Sequence, residues 1–295
     1  MRGPGGGRGN PGRGMRAGRL RRAGDQPDQP GSTVDGITYP PGPDELVLRM
    51  EFTGGFAPLR WLLARYPTFS LYGDGRAVTE RARAEIYPGP ALPNLPQRQL
   101  GEKGVQRVLE LVKKAGLLGP DASYDDPGIA DATTTVFTVH ANGARHVVKV
   151  YALGEDSSSP RIRQAERRIR QWLLAFSRLL FDLRKALPEG TVGDLQEYPP
   201  AGLRMFIEDG DPTAGSGLHE PSIAWPLSTP LSELGDPASS QDVRCTLVQG
   251  DDLAKLLPDA KRATEITPRT SGGRIYTLSF RPLLPDEAGC TGPIQ

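Results

Sequence analysis

Residues 133–153 read TTTVFTVHANGARHVVKVYAL, two β-branched and apolar runs on either side of Asn142-Gly143. Asn-Gly suits a two-residue hairpin turn, in which both central residues take positive φ. The flanking Val, Thr, Phe and Tyr pack well on a pleated surface. A hairpin of residues 133–139 with 146–153 is therefore predicted. His140 and His146 sit at the mouths of its turn; they are read as solvent-facing, because zinc takes three or four protein ligands and no further ligand lies at suitable spacing.

Upstream, Leu46, Leu48, Met50 and Phe52 alternate with Val47, Arg49 and Glu51, a period of two that predicts a strand ended by Thr53-Gly54-Gly55. Residues 68–72 and 76–79 flank Gly73-Asp74-Gly75, which predicts a second tight hairpin with Asp74 as a turn former, not a metal ligand. Over residues 102–118, Val105, Val108, Leu109, Val112 and Leu117 recur at helical spacing, with Lys113 and Lys114 in the last turn. The order β, ββ, α, ββ predicts an α+β sheet with a helix on one face.

Downstream, Ser159-Pro160 and Pro188-Glu189-Gly190 bracket a long helix. At 100° per residue, Ile162, Ala165, Ile169, Trp172, Leu173, Phe176 and Leu180 fall on one stripe, and Arg163, Arg167, Arg170 and Arg178 fall opposite. The packed stripe makes this a connector between lobes. The basic face is either solvated or a docking face for an acidic partner or anionic lipid headgroups, a peripheral contact with a membrane surface. Beyond it, residues 203–207 read as a strand before an acidic turn, residues 245–248 as a short strand, residues 252–263 as a helix, and residues 274–280 as a final strand.

The fold class expected is thus α+β, with antiparallel sheets each packed by a helix and two lobes joined by a long amphipathic helix. The boundaries are a head and Pro-rich linker over 1–43, a first lobe over 44–156, the helix over 157–190 and a second lobe over 191–295. Gln99-Leu100-Gly101-Glu102 and Gln249-Gly250-Asp251 each lead into a helix, so the lobes admit a diverged duplication.

Within the first lobe, GGFAPLRWLLARYPTFSLYGDGRAVTE (54–80), VKKAGLL (112–118), ATTTVFTV (132–139) and VVKVYAL (147–153) resemble a domain of unknown function that recurs in bacterial lipoproteins and other secreted proteins. The resemblance covers residues 46–153 and implies no activity. PRTSGGRIYTLSFRPLLPDEAGC (268–290) is similar to the C-terminal ends of uncharacterised secreted proteins of high-GC bacteria.

Charge is segregated along the chain. Residues 1–24 hold seven arginines and no acid, which leaves a net −6 on the remainder of a 295-residue chain whose formal charge is +1. With nine glycines in those 24 residues the head cannot repay the entropy of ordering and is expected to be disordered. A nucleic-acid arm is one reading, but no aromatic residue is interleaved for base stacking, so nucleic acid is not the expected partner. The other reading is an unselected tail or a misassigned start. No apolar h-region lies in the first 30 residues, so no signal peptide is legible there, and an export signal would have to lie upstream. No apolar run is long enough for a transmembrane helix.

Cys245 and Cys290 are the only cysteines. They flank the last structural unit and are read as a disulfide, with two unrelated buried thiols as the alternative. A bridge across 45 residues contributes roughly 3 to 4 kcal/mol in the chain-entropy model and belongs to oxidising compartments. Serine-hydrolase, phosphate-loop and zinc-protease motifs are all missing, and His219 stands in a Gly-rich loop without a partner. No catalytic, cofactor or metal residue is assigned. The function expected is a non-catalytic, extracytoplasmic, envelope-associated protein that binds a protein or small ligand. The alternative is a secreted hydrolase with a carboxylate pair, which carries no spacing signature.

Overall fold

The Asn142-Gly143 turn forms as its chemistry dictates, with φ of 52° and 72°, and its strands lie inside the first of two sheets. The computed structural model describes residues 36–57, 59–81, 86–126, 128–155, 162–238 and 242–290. The first sheet comprises β1 (Leu46–Gly54), β2 (Phe69–Tyr72), β3 (Arg76–Thr79), β4 (Pro96–Gln99), β5 (Ala122–Tyr124), β6 (Thr133–Ala141), β7 (Ala144–Tyr151) and β8 (Gln196–Glu197). Their order is β5-β7-β6-β1-β2-β3-β4-β8, antiparallel except where β5 runs parallel to β7. The second sheet comprises β9 (Gly202–Asp209), β10 (Ile223–Ala224), β11 (Asp236–Pro237), β12 (Arg244–Gln249), β13 (Arg269–Ser271) and β14 (Arg274–Pro282). Its order is β10-β13-β14-β9-β12-β11, with β10 and β13 parallel. The helices are α1 (Leu59–Ala64), α2 (Glu102–Lys114), α3 (Gln164–Phe181), α4 (Leu183–Ala186) and α5 (Gly250–Arg262). The fold is α+β.

Register explains how each sheet acquires an apolar face. Leu48 opposes Val139 and Leu71, and Met50 opposes Phe137 and Phe69, so these side chains share one side of the pleat. That side is covered by Val105, Leu109 and Val112 of α2 and by Leu173, Phe176 and Leu180 of α3 in a single core. Burying each such side chain stabilises the fold by roughly 1.5 to 3 kcal/mol. In the second sheet, Leu203, Met205, Ile207, Leu278 and Phe280 pack with Leu256 and Ala260 of α5.

The Gly73-Asp74-Gly75 turn explains its own composition. Asp74 Oδ1 accepts the Arg76 N–H at 2.9 Å, a turn-forming contact. Gly75 has φ of +85°, and a Cβ there would lie 2.2 Å from the Leu100 carbonyl oxygen. Only glycine fits that approach.

Four expectations need correction. The linker reaches the core before residue 44: Tyr39 is buried, its hydroxyl bonds Glu102, and Gln106 pairs with both backbone groups of Ile37. Residues 1–35, and with them the Arg/Gly-rich head, lie outside the described residues. The boundary at 191 is crossed, because β8 pairs with β4 and completes the first sheet.

The helix joins the two sheets along the chain and packs on the first of them, in the same core as α2. Ser159 and Pro160 lie outside the described residues; α3 starts at Gln164 and breaks at Asp182, whose φ and ψ of −134° and 70° leave the helical region. Its buried stripe is rotated from the expected one. Ile162, Leu173, Phe176 and Leu180 are buried, whereas Ile169 and Trp172 are exposed.

The lobes also differ in topology. β6, the first strand of its hairpin, lies beside β1, but β14, the second strand of its hairpin, lies beside β9. The repeated strand-to-helix join is thus local, and the strand orders do not superpose as a simple duplication.

Candidate functional site

Arg170 does not belong to the exposed basic face. It is 3% exposed and caps the ends of the parallel pair β5 and β7, with Nη1 donating to the Tyr151 carbonyl at 2.8 Å and Nη2 to the Tyr124 carbonyl at 3.1 Å. Strand-end carbonyls need donors when buried, and a guanidinium supplies several from one side chain. Glu166 receives its Nε at 3.1 Å, one helical turn away. Arg170 therefore leaves the expected anionic-partner face. Arg163 and Arg178 are exposed, and Arg167 is half-buried with its Nε on the Ile162 carbonyl.

A different cluster of charge lies between the two sheets. In β1, Arg49 and Glu51 occupy the side opposite Leu48 and Met50, and in β9 and β14 Arg204 and Arg281 are direct cross-strand partners. These polar sides are buried or half-buried and line a partly open cleft of about 430 Å³, walled by Phe52, Leu62, Leu63 and Phe206 and bordered by Asp286, Glu287, Ala288 and Cys290. Volumes of this order hold small-molecule ligands.

Most of the charge is matched internally. Arg49 donates to Ser70 Oγ and the Tyr72 hydroxyl, each at 3.2 Å, and to Asp286 at 2.7 Å; Tyr72 donates to the same carboxylate at 2.9 Å. Arg281 lies 4.6 Å from the centre of the Tyr66 ring, donates to the Arg65 carbonyl at 3.1 Å and grips Glu287 with both terminal nitrogens. Burial opposes its charge, and Glu287 outweighs that penalty, so Arg281 is held above its usual range.

Three groups are not matched. Arg204 donates Nε to the Gly289 carbonyl at 2.7 Å, and its terminal nitrogens make no hydrogen bond among the described residues. The Tyr66 hydroxyl is fully buried without a partner. Glu51 has neither hydrogen bond nor ion pair among the described residues. Burial holds the Glu51 carboxyl above the usual carboxylate range, partly offset by Arg49 and Arg281.

The Glu51 shift fixes a pH dependence. Its native pKa is raised, so over that interval the native state binds more protons than the unfolded chain and stability falls as pH rises. The contribution is intact below the ordinary value of 4.5 and is lost as pH climbs through the native value. Replacing Glu51 with glutamine is expected to remove this decline, so that thermal midpoints of variant and wild type, close in acid, separate in the variant's favour toward neutral pH. Parallel curves would contradict the assignment.

The chain matches no family model, no curated protein and no solved structure. The site therefore rests on its own geometry. Cys245 in β12 is bonded to Cys290 with Cα atoms 5.9 Å apart, and Cys290 lines the cleft. His140 and His146 are half-buried, and His146 Nδ1 meets the Gly119 carbonyl at 2.8 Å. Among the described residues no group of three or more His, Cys, Asp or Glu is placed to hold a metal, and no helix is long and apolar enough to cross a membrane.

Of the cleft residues, only Cys290 is singled out by the sequence, as half of a disulfide. The signal available was the charge at alternate positions of β1 and at Arg204 and Arg281 in otherwise apolar strands. Such a pattern marks a solvated face in most antiparallel sheets. Here the second sheet covers it.

Proposed function

We propose that this chain is a non-catalytic, extracytoplasmic binding protein whose ligand seats in the cleft between the sheets. The observation that carries the reading is the cavity itself, lined by Glu51 and Arg204, whose carboxylate and terminal guanidinium nitrogens make no hydrogen bond among the described residues amid otherwise paired charge. A charged group without a hydrogen bond at a cavity wall offers a bound molecule a charge-assisted one. The disulfide supports an oxidising compartment, as does the resemblance of residues 46–153 to domains of lipoproteins.

A thermal-shift panel of amino acids, short peptides, sugars, sugar acids and nucleotides tests the reading on wild type and on Ala288→Trp, which fills the cleft from its closing segment. At least one class is expected to raise the wild-type midpoint and leave the variant unmoved. A panel without effect, or an effect that Ala288→Trp retains, would overturn it.

A second reading, a hydrolase, is favoured by one observation. Glu51 is held above the usual carboxylate range in a cleft that also presents Asp286 and Glu287, the arrangement in which one carboxyl keeps a proton to donate while another stays charged. Mass spectrometry of the ligand after incubation separates the two. Intact ligand supports binding alone; cleavage that Glu51→Gln abolishes supports the hydrolase.

A further inference from the structure

The unmatched groups are not all alike, and their difference describes the ligand. Arg49 is satisfied by Asp286, Ser70 and Tyr72, and Arg281 by Glu287 and a backbone carbonyl. After that pairing, and among the described residues, the cleft keeps one cation whose terminal nitrogens make no hydrogen bond, Arg204, and one carboxylate with neither hydrogen bond nor ion pair, Glu51. Arg204 is pushed below its usual range by burial and then by Arg281 directly across the strand pair. A like-charge pair in register is unfavourable. An anion on Arg204 relieves it.

Glu51 has the opposite need. Its carboxyl is drawn out of water, and a positive group against it favours the ionised form. Phe52, Leu62, Leu63 and Phe206 form apolar walls near these two charges.

We infer that the cleft binds a small zwitterion with an apolar side chain, an α-amino acid or short peptide. Its carboxylate pairs with Arg204, its ammonium with Glu51, and its side chain lies on the apolar walls. The inference rests on the cleft being the binding site, and it adds the class of ligand. A bidentate guanidinium–carboxylate pair and a desolvated ammonium–carboxylate pair each add charge-assisted hydrogen bonds, stronger than neutral ones.

Isothermal titration with leucine and Leu-Leu, against N-acetyl-Leu-Leu and Leu-Leu amide, tests it on wild-type protein without a destabilising substitution. Leu-Leu binding better than leucine assigns a peptide, and the reverse a free amino acid. Capping either end is expected to weaken binding about tenfold or more, the worth of a hydrogen bond to a charged group. Glu51→Gln is expected to abolish the penalty for N-acetylation and keep that for amidation. Arg204→Gln is expected to do the reverse.

Equal affinity of capped and uncapped peptides overturns the inference, as does the lack of any peptide binding. If peptides fail while another class is excluded by Ala288→Trp, the ligand class is wrong and the cleft remains the site. If nothing is excluded by that variant, both fall.

Discussion

Replacing Glu287 with glutamine is expected to cost about 3 to 5 kcal/mol of stability, the range for removing one partner of a buried ion pair. Arg281 has 7% of its side chain exposed and Glu287 14%, so the cation left behind has little access to water. It also faces Arg204 across the strand pair, and Glu287 is the carboxylate that grips Arg281 with both oxygens. The same oxygen of Glu287 that bonds Nη1 accepts the Leu284 N–H at 3.0 Å, so the substitution also loosens the turn that carries the cleft wall. At roughly 2 to 4 °C per kcal/mol for a chain of this size, the melting temperature falls by about 10 °C. Arg281→Met combined with Glu287→Leu is expected to recover a large part of the loss, because no charge is then stranded. A double-mutant cycle by urea denaturation measures the coupling. A single variant within about 1 kcal/mol of wild type would show that the pair contributes no more than an exposed one.

Reduction of the Cys245–Cys290 bridge is expected to cost about 4 kcal/mol, from the entropy an unfolded chain regains when a loop of 45 residues is opened. The functional loss is expected to be larger than that figure conveys. Asp286, Glu287, Ala288 and Cys290 border the cleft, and the segment's other ties to the sheets include the ion pairs of Asp286 and Glu287, the bond from the Tyr72 hydroxyl to Asp286 and that from Arg204 to the Gly289 carbonyl. Cys245 sits buried with Leu63, Phe206 and Val243, which anchors the far end of the bridge. The measurement compares urea midpoints and ligand binding of oxidised and reduced protein, with Cys245→Ala/Cys290→Ala as a control free of reductant. Unchanged midpoints would assign the bridge no role in stability. A lowered midpoint with intact binding would separate the cleft from its closing segment.

The hairpins, α2 and the pairing of the cysteines were legible because each rests on local chemistry. Asn142-Gly143 and Gly73-Asp74-Gly75 specify turns by the φ they allow, and Val105, Leu109 and Val112 specify one face of one helix. What failed was the assumption that polar residues face water. Arg170 carries a full charge and lies deeper than Trp172, because two strand-end carbonyls need its donors and Trp172 has no such partner to meet. The cleft failed for the same reason at larger scale. Arg49 and Glu51 alternate with Leu48 and Met50 as they would on an open sheet, and nothing in β1 announces that Asp286, 237 residues away, will cover them.

That separation has a consequence for how the protein is made. Residues 283–290 follow every strand and helix that they bridge, so both sheets are already synthesised before the segment that completes the cavity emerges. Contacts between distant residues carry the largest loop-closure cost and form late. A chain halted near residue 282 holds two sheets whose arginines lack their carboxylates, and the bond to Cys245 cannot form until the last part of that segment has arrived. If the proposed function holds, binding in the cleft is expected only of completed, oxidised molecules.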